Sequence, residues 1–77
     1  MSERDRIQWN CRRGLLELDL ILQRFLDRRF DKLSVSEVKM FKELLEFADN
    51  DLLDMVMGRA EPVDERLNAV LDMMRKV

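Results

Sequence analysis

The chain has 77 residues, 39% of them charged and 47% hydrophobic, and its formal net charge is −2. That length suits one small domain on one core and leaves little room for a deep pocket that encloses a substrate. Residues 1–32 carry eight basic and six acidic groups and residues 33–77 carry six and ten, so neither half is basic enough for phosphate-driven binding to nucleic acid.

Ser2, with Asp5 three residues on, forms the sequence pattern of a helix cap and predicts a first helix running to about Arg13. Gly14 then suits a left-handed position at the helix end, with Arg12 and Arg13 in the last turn, where the dipole favours cations. Leu15, Leu18, Ile21, Leu22, Phe25 and Leu26 recur at three- and four-residue spacings and predict a second helix with one wide apolar stripe. Arg28, Arg29 and Lys32 gather near its end. Ser34-Val35-Ser36-Glu37 is a capping box, with Leu33 and Val38 at the staple positions, and it opens a third helix. The inward stripe of that helix is Val38, Phe41, Leu44, Leu45 and Ala48. Asp49 or Asn50 is placed to cap a short fourth helix bearing Leu52, Leu53, Val56 and Met57, closed by Gly58. Pro62 fits near the start of a fifth, with Asp64 as its cap and Leu67, Val70, Leu71 and Met74 as its buried side. No stretch alternates apolar and polar residues over strand length. The expected architecture is all-α, a compact five-helix bundle forming a single helical domain over residues 1–77.

The chain has no histidine, which excludes a histidine-based triad and any histidine metal site. Cys11 shares a helical face with Ile7 and reads as a small core filler rather than a nucleophile. The six methionines, Met55, Met57, Met73 and Met74 among them, are expected to fill core gaps. Asp49, Asp51 and Asp54 lack a calcium-loop pattern and read as capping and solvating groups. There is no glycine-rich phosphate loop, so stable binding of a nucleotide cofactor by this chain alone is not expected. No apolar run approaches the roughly 18–20 residues of a membrane span, so direct membrane insertion is not expected either. The opening Met1-Ser2-Glu3-Arg4-Asp5-Arg6 contains acids and no apolar segment, unlike a signal or transit peptide. With one unpaired cysteine, these features point to a reducing compartment, most simply a bacterial cytoplasm.

The richest stretch is Trp9-Asn10-Cys11-Arg12-Arg13-Gly14-Leu15-Leu16-Glu17-Leu18-Asp19, at the corner between the first two helices. Much of it satisfies helix dipoles: arginines at one helix end, Glu17 and Asp19 in the first turn of the next. Arg13 and Glu17 are also spaced for a weak exposed pair, in the less favourable basic-before-acidic order. On a regular helix Trp9 lies opposite the Ile7–Cys11 face, close to Arg13, where it can stand exposed as an interface anchor. Arg13 and Glu17 are therefore expected at the surface, with Val38, Phe41, Leu45 and Leu71 in the core.

Trp9-x-Cys11-Arg12-Arg13-Gly14-x-x-Glu17-Leu18-Asp19 resembles the N-terminal signature of the succinate dehydrogenase flavinylation factors of bacterial type. Leu33-Ser34-x-x-Glu37, followed by Phe41-x-x-Leu44-Leu45-Glu46-x-x-Asp49-x-Asp51-Leu52, is similar to the family's middle segment in order and spacing. Pro62 falls where a proline precedes the last helix, whereas Met55 stands where members often carry tryptophan. The resemblance implies a non-enzymatic, five-helix assembly factor. Such a protein binds the flavoprotein subunit of succinate dehydrogenase, in some members also that of fumarate reductase, and promotes covalent attachment of FAD to a histidine of that subunit. It implies partner-binding roles for Arg13, Gly14 and Glu17, with Trp9, Arg12 and Asp19 around them, and no catalytic or metal-binding residue. A glycine lets another backbone approach closely, and an arginine near a carboxylate offers directional contacts to a partner. Without the resemblance, a generic helical adaptor or antitoxin-like inhibitor would use the same corner for an unrelated partner.

Overall fold

A computed structural model describes residues 2–77 of the chain; Met1, one of the six methionines expected to fill core gaps, lies outside them. Five α-helices and one short 3-10 turn make up the regular structure of these residues, with no strand among them. Both capping boxes read from the sequence form. Ser2 Oγ accepts from the Asp5 N–H at 3.1 Å while the Asp5 carboxylate accepts from the Ser2 N–H, and helix α1 follows over Glu3–Asn10. Ser34 and Glu37 repeat the exchange at 3.2 and 2.8 Å and open α3, Val35–Leu44.

Helix α1 ends three residues earlier than expected. The Arg13 N–H is drawn to the Asp19 carboxylate at 2.8 Å instead of a carbonyl one turn back, so Arg12 and Arg13 leave the helix. Gly14 does adopt a left-handed φ of +82°, but it turns the chain into α2 (Leu16–Arg28) instead of capping α1. Helix α2 buries Leu18, Leu22, Phe25 and Leu26, with Leu15 and Ile21 partly covered, and the 3-10 turn Phe30–Lys32 follows it.

The inward stripe of α3 is Phe41 and Leu44, continued by Leu45, with Val38 only partly buried. Ala48 is not part of it: exposed, it occupies the N-cap of α4 (Asp49–Val56), where neither Asp49 nor Asn50 caps through a side chain. Within α4 it is Met55 that is buried beside Leu52 and Val56, while Met57 stands 41% exposed at the C-cap. Gly58 (φ +78°) then closes α4 as expected, the Arg59 N–H reaching the Asp54 carbonyl at 2.8 Å and the Gly58 N–H the Met55 carbonyl at 3.2 Å.

Helix α5 (Leu67–Arg75) begins later than Pro62 suggested. Asp64 caps the lead-in turn, its carboxylate accepting from the Arg66 N–H at 3.0 Å and its carbonyl from the Leu67 N–H at 3.1 Å. Leu67, Val70, Leu71 and Met74 are buried where α5 packs against α2, α3 and α4. The Phe25 and Phe41 rings meet at 4.8 Å between centroids, tilted by 45°, within this core. Arg75 ties the last turn of α4 to α5, donating to the Val56 and Met55 carbonyls at 3.0 and 2.6 Å.

Candidate functional site

The corner between α1 and α2 sorts its residues into an inner pair and an outer set. Asp19, in the first turn of α2, reaches back beyond the helix start. Its two carboxylate oxygens accept from the Arg13 N–H at 2.8 Å and the Gly14 N–H at 3.2 Å. It thereby pins the loop and supplies a negative charge near the N-terminus of α2, where the dipole favours one.

Arg13 is the second inner residue, and here the sequence-based expectation of a largely exposed arginine is corrected. Its side chain is only 13% exposed. Nε donates to the Asn10 carbonyl at 2.8 Å, and Nη1 donates to the Phe47 carbonyl at 2.9 Å and to Asp49 Oδ1 at 3.1 Å. Nη2 donates to the Leu45 carbonyl. One guanidinium thus holds the end of α1, the free carbonyls after α3 and the first residue of α4. Its planar, multidentate donor set makes arginine the side chain able to do so. The Arg13–Glu17 pair that the spacing allowed does not form: the carboxylate bound by Arg13 is that of Asp49.

The outer set faces solvent. Trp9 is 72% exposed, opposite the buried Ile7 and Cys11, the one of its two open placements that its helical position allowed without a covering helix. Arg12, Gly14 and Glu17 are also exposed. The Arg12 and Glu17 side chains make no hydrogen bond or ion pair among the described residues. Gly14 has nothing within 4 Å of where a Cβ would lie, so its surface is open and its constraint is the backbone angle alone. Leu16 (76% exposed) and Leu20 stand one turn apart on the outer side of α2 and add apolar surface beside Glu17. The sequence carried a signal for them, two leucines at four-residue spacing lying off the buried Leu18–Leu22–Phe25 stripe.

Cys11 is not part of this surface. It is 3% exposed, and burial pushes its thiol up from 9.0 to about 12, so it stays protonated and inert. Among the described residues no group of histidine, cysteine or carboxylate side chains is placed to hold a metal, and no helix is long and apolar enough to cross a membrane. Of the three acids near α4, Asp49 is bound to Arg13 and Asp54 pairs with Arg59 at 3.0 Å, while Asp51 is exposed. Asp49 is therefore a structural bridge rather than a simple solvating group, while the Asp54–Arg59 pair is exposed on both sides.

The arrangement offers an exposed tryptophan, an unpaired arginine, an unpaired carboxylate and two leucines on a rigid turn, which are the components of a protein-binding surface. Residues 5–77 match the family described as flavinator of succinate dehydrogenase. The chain is 44% identical over 68 residues to the FAD assembly factor SdhE of Legionella pneumophila (strain Lens), covering 88% of this chain and 86% of that protein. It is 52% identical over 57 residues to the FAD assembly factor SdhE of Vibrio vulnificus (strain YJ016), covering 74% and 66%. With the FAD assembly factor SdhE of Methylococcus capsulatus it shares 39% identity over 75 residues, 97% and 90% of the two chains. By these similarities the chain belongs to the family of flavinators of succinate dehydrogenase.

Proposed function

We propose that this protein binds the flavoprotein subunit of succinate dehydrogenase in the cytoplasm and promotes covalent attachment of FAD to it. The observation that carries the reading is the family match over residues 5–77, which contains the whole α1–α2 corner. Its class is that of an assembly factor, not a catalytic enzyme. The flavin stays with the subunit, and the bond-forming chemistry belongs to the subunit and its cofactor. This chain supplies positioning, favouring the conformation in which the accepting side chain meets the flavin ring. It can do so only to the extent that it binds that conformation more tightly than the others.

In this reading Trp9, Arg12, Gly14 and Glu17 touch the partner, with Leu16 and Leu20 alongside. Arg13 and Asp19 act through them, holding the turn in one shape so that little ordering remains to be done on binding. The flavoprotein subunit of fumarate reductase is the second candidate partner. The test is complementation of a deletion strain, read as flavin fluorescence of the dehydrogenase band on a denaturing gel. Wild-type protein restores the signal, whereas Glu17→Ala stays folded and restores little of it. Full restoration by a folded Glu17→Ala protein contradicts the role given to the corner.

A further inference from the structure

The turn held by Arg13 carries Phe47, 37% exposed, which lines two shallow depressions of about 330 Å³ and about 200 Å³. Their apolar lining is Phe47, Met55, Ala60, Pro62, Val63 and Leu67, of which Val63 is fully exposed. Their charged lining is Glu43, Glu46, Asp51, Glu61 and Asp64, with no lysine or arginine in either. Asp64 is neutralised by Arg66, 2.6 Å away. The other four carboxylates make no hydrogen bond or ion pair among the described residues. Glu43 lies in the field of Arg66, whereas Glu46, Asp51 and Glu61 do nothing visible for the fold and line exposed apolar surface with one sign of charge.

We propose that this groove is a second docking surface. On it, the partner that engages the Trp9–Glu17 corner seats a lysine- or arginine-bearing segment, with one apolar side chain against Phe47 and Val63. The inference rests on the partner-binding reading above and adds the chemistry of a second contact. Charge complementarity selects the occupant: an acidic or neutral segment would leave Glu46, Asp51 and Glu61 facing it without a paired cation. Arg13 fixes the distance between the two surfaces, because the same guanidinium that binds the Asn10 carbonyl at the corner binds the Phe47 carbonyl at the groove. Two contacts on one rigid body engage a partner more tightly than either alone.

The experiment titrates the full chain with the purified, FAD-loaded flavoprotein subunit of succinate dehydrogenase at about 50 mM and about 300 mM salt, spanning weak to strong screening. Two variants are compared with wild type, the double Glu46→Lys/Glu61→Lys and Val63→Ser; all three positions are exposed and free of side-chain bonds, and melting curves confirm folding. Wild type binds less tightly as salt rises. The charge-reversal variant loses about tenfold in affinity at low salt and recovers most of the deficit at high salt. Val63→Ser loses a few-fold at both, as expected of a small apolar contact. Variants that bind like wild type, with unchanged salt dependence, overturn the groove and leave the corner standing. A wild-type chain with no affinity for the subunit overturns both.

Discussion

Replacing Arg13 with alanine separates the two roles open to a signature arginine. Had it been a surface residue in a loose pair with Glu17, its loss would cost well under about 1 kcal/mol. Instead the side chain is 13% exposed and donates to three carbonyls, those of Asn10, Leu45 and Phe47, and to the Asp49 carboxylate. Hydrogen bonds to a charged group contribute about 1.5–3 kcal/mol each when well desolvated, and less when water can replace the donor. Two of the four lie at exposed positions, those to Asn10 and Phe47, and water will recover much of their worth. The partly buried pair to Leu45 and Asp49 dominates, giving a net loss of about 2–4 kcal/mol for Arg13→Ala. A 77-residue domain has about 4–12 kcal/mol in total, so this is a large fraction. Thermal unfolding followed by circular dichroism should show Tm lowered by about 10–20 °C. Glu17→Ala, which removes no internal bond, should stay within about 0.5 kcal/mol of wild type. Equal, small effects at both sites would refute the assignment of Arg13 as the brace of the corner.

Phe41→Ala removes a fully buried ring packed against Phe25 and should cost about 3–5 kcal/mol by chemical denaturation; a loss below about 1 kcal/mol would mean that the core is not organised around this pair. Gly14→Ala meets no atom but must hold a φ of +82°, and should cost about 1–2 kcal/mol in a melting curve. Cys11 should resist iodoacetamide at neutral pH until the chain unfolds, since its thiol is buried and ionises only near pH 12. The unfolded thiol loses its proton near pH 9.0 and the folded one near 12, so Cys11 leaves stability unchanged below pH 9 and erodes it as pH rises between the two values. Cys11→Ala should flatten that alkaline decline.

The fold was legible where its causes are local. Ser2–Asp5 and Ser34–Glu37 each contain a complete reciprocal cap, and Gly58 marks a helix end that three nearby backbone groups close. The leucine and phenylalanine spacings of α2 and α5 identify their buried sides because one apolar face is all that a short helix can hide. What the sequence concealed depends on partners far along the chain. The end of α1 at Asn10 is set by Asp19, and the inward turn of Arg13 by carbonyls more than thirty residues away. No spacing rule encodes either. Met55 and Met57 were equivalent fillers by composition, yet the first is buried and the second is a helix cap in solvent. For the candidate site, the face opposite Ile7 and Cys11 made Trp9 a candidate for the surface, and the fold decided it, since no neighbouring helix covers that side chain. That Asp19 works inward while Glu17 stays free became apparent only from the hydrogen bonds.

Reconstitution with purified components addresses the central claim most directly. The non-covalent FAD-loaded flavoprotein subunit of succinate dehydrogenase is incubated with and without this chain, denatured, and separated on a gel read for flavin fluorescence. The account predicts covalent flavin accumulating faster and to higher yield with the wild-type chain, and near the background level with a folded Glu17→Ala protein. Equal covalent flavin with and without the wild-type chain would contradict it.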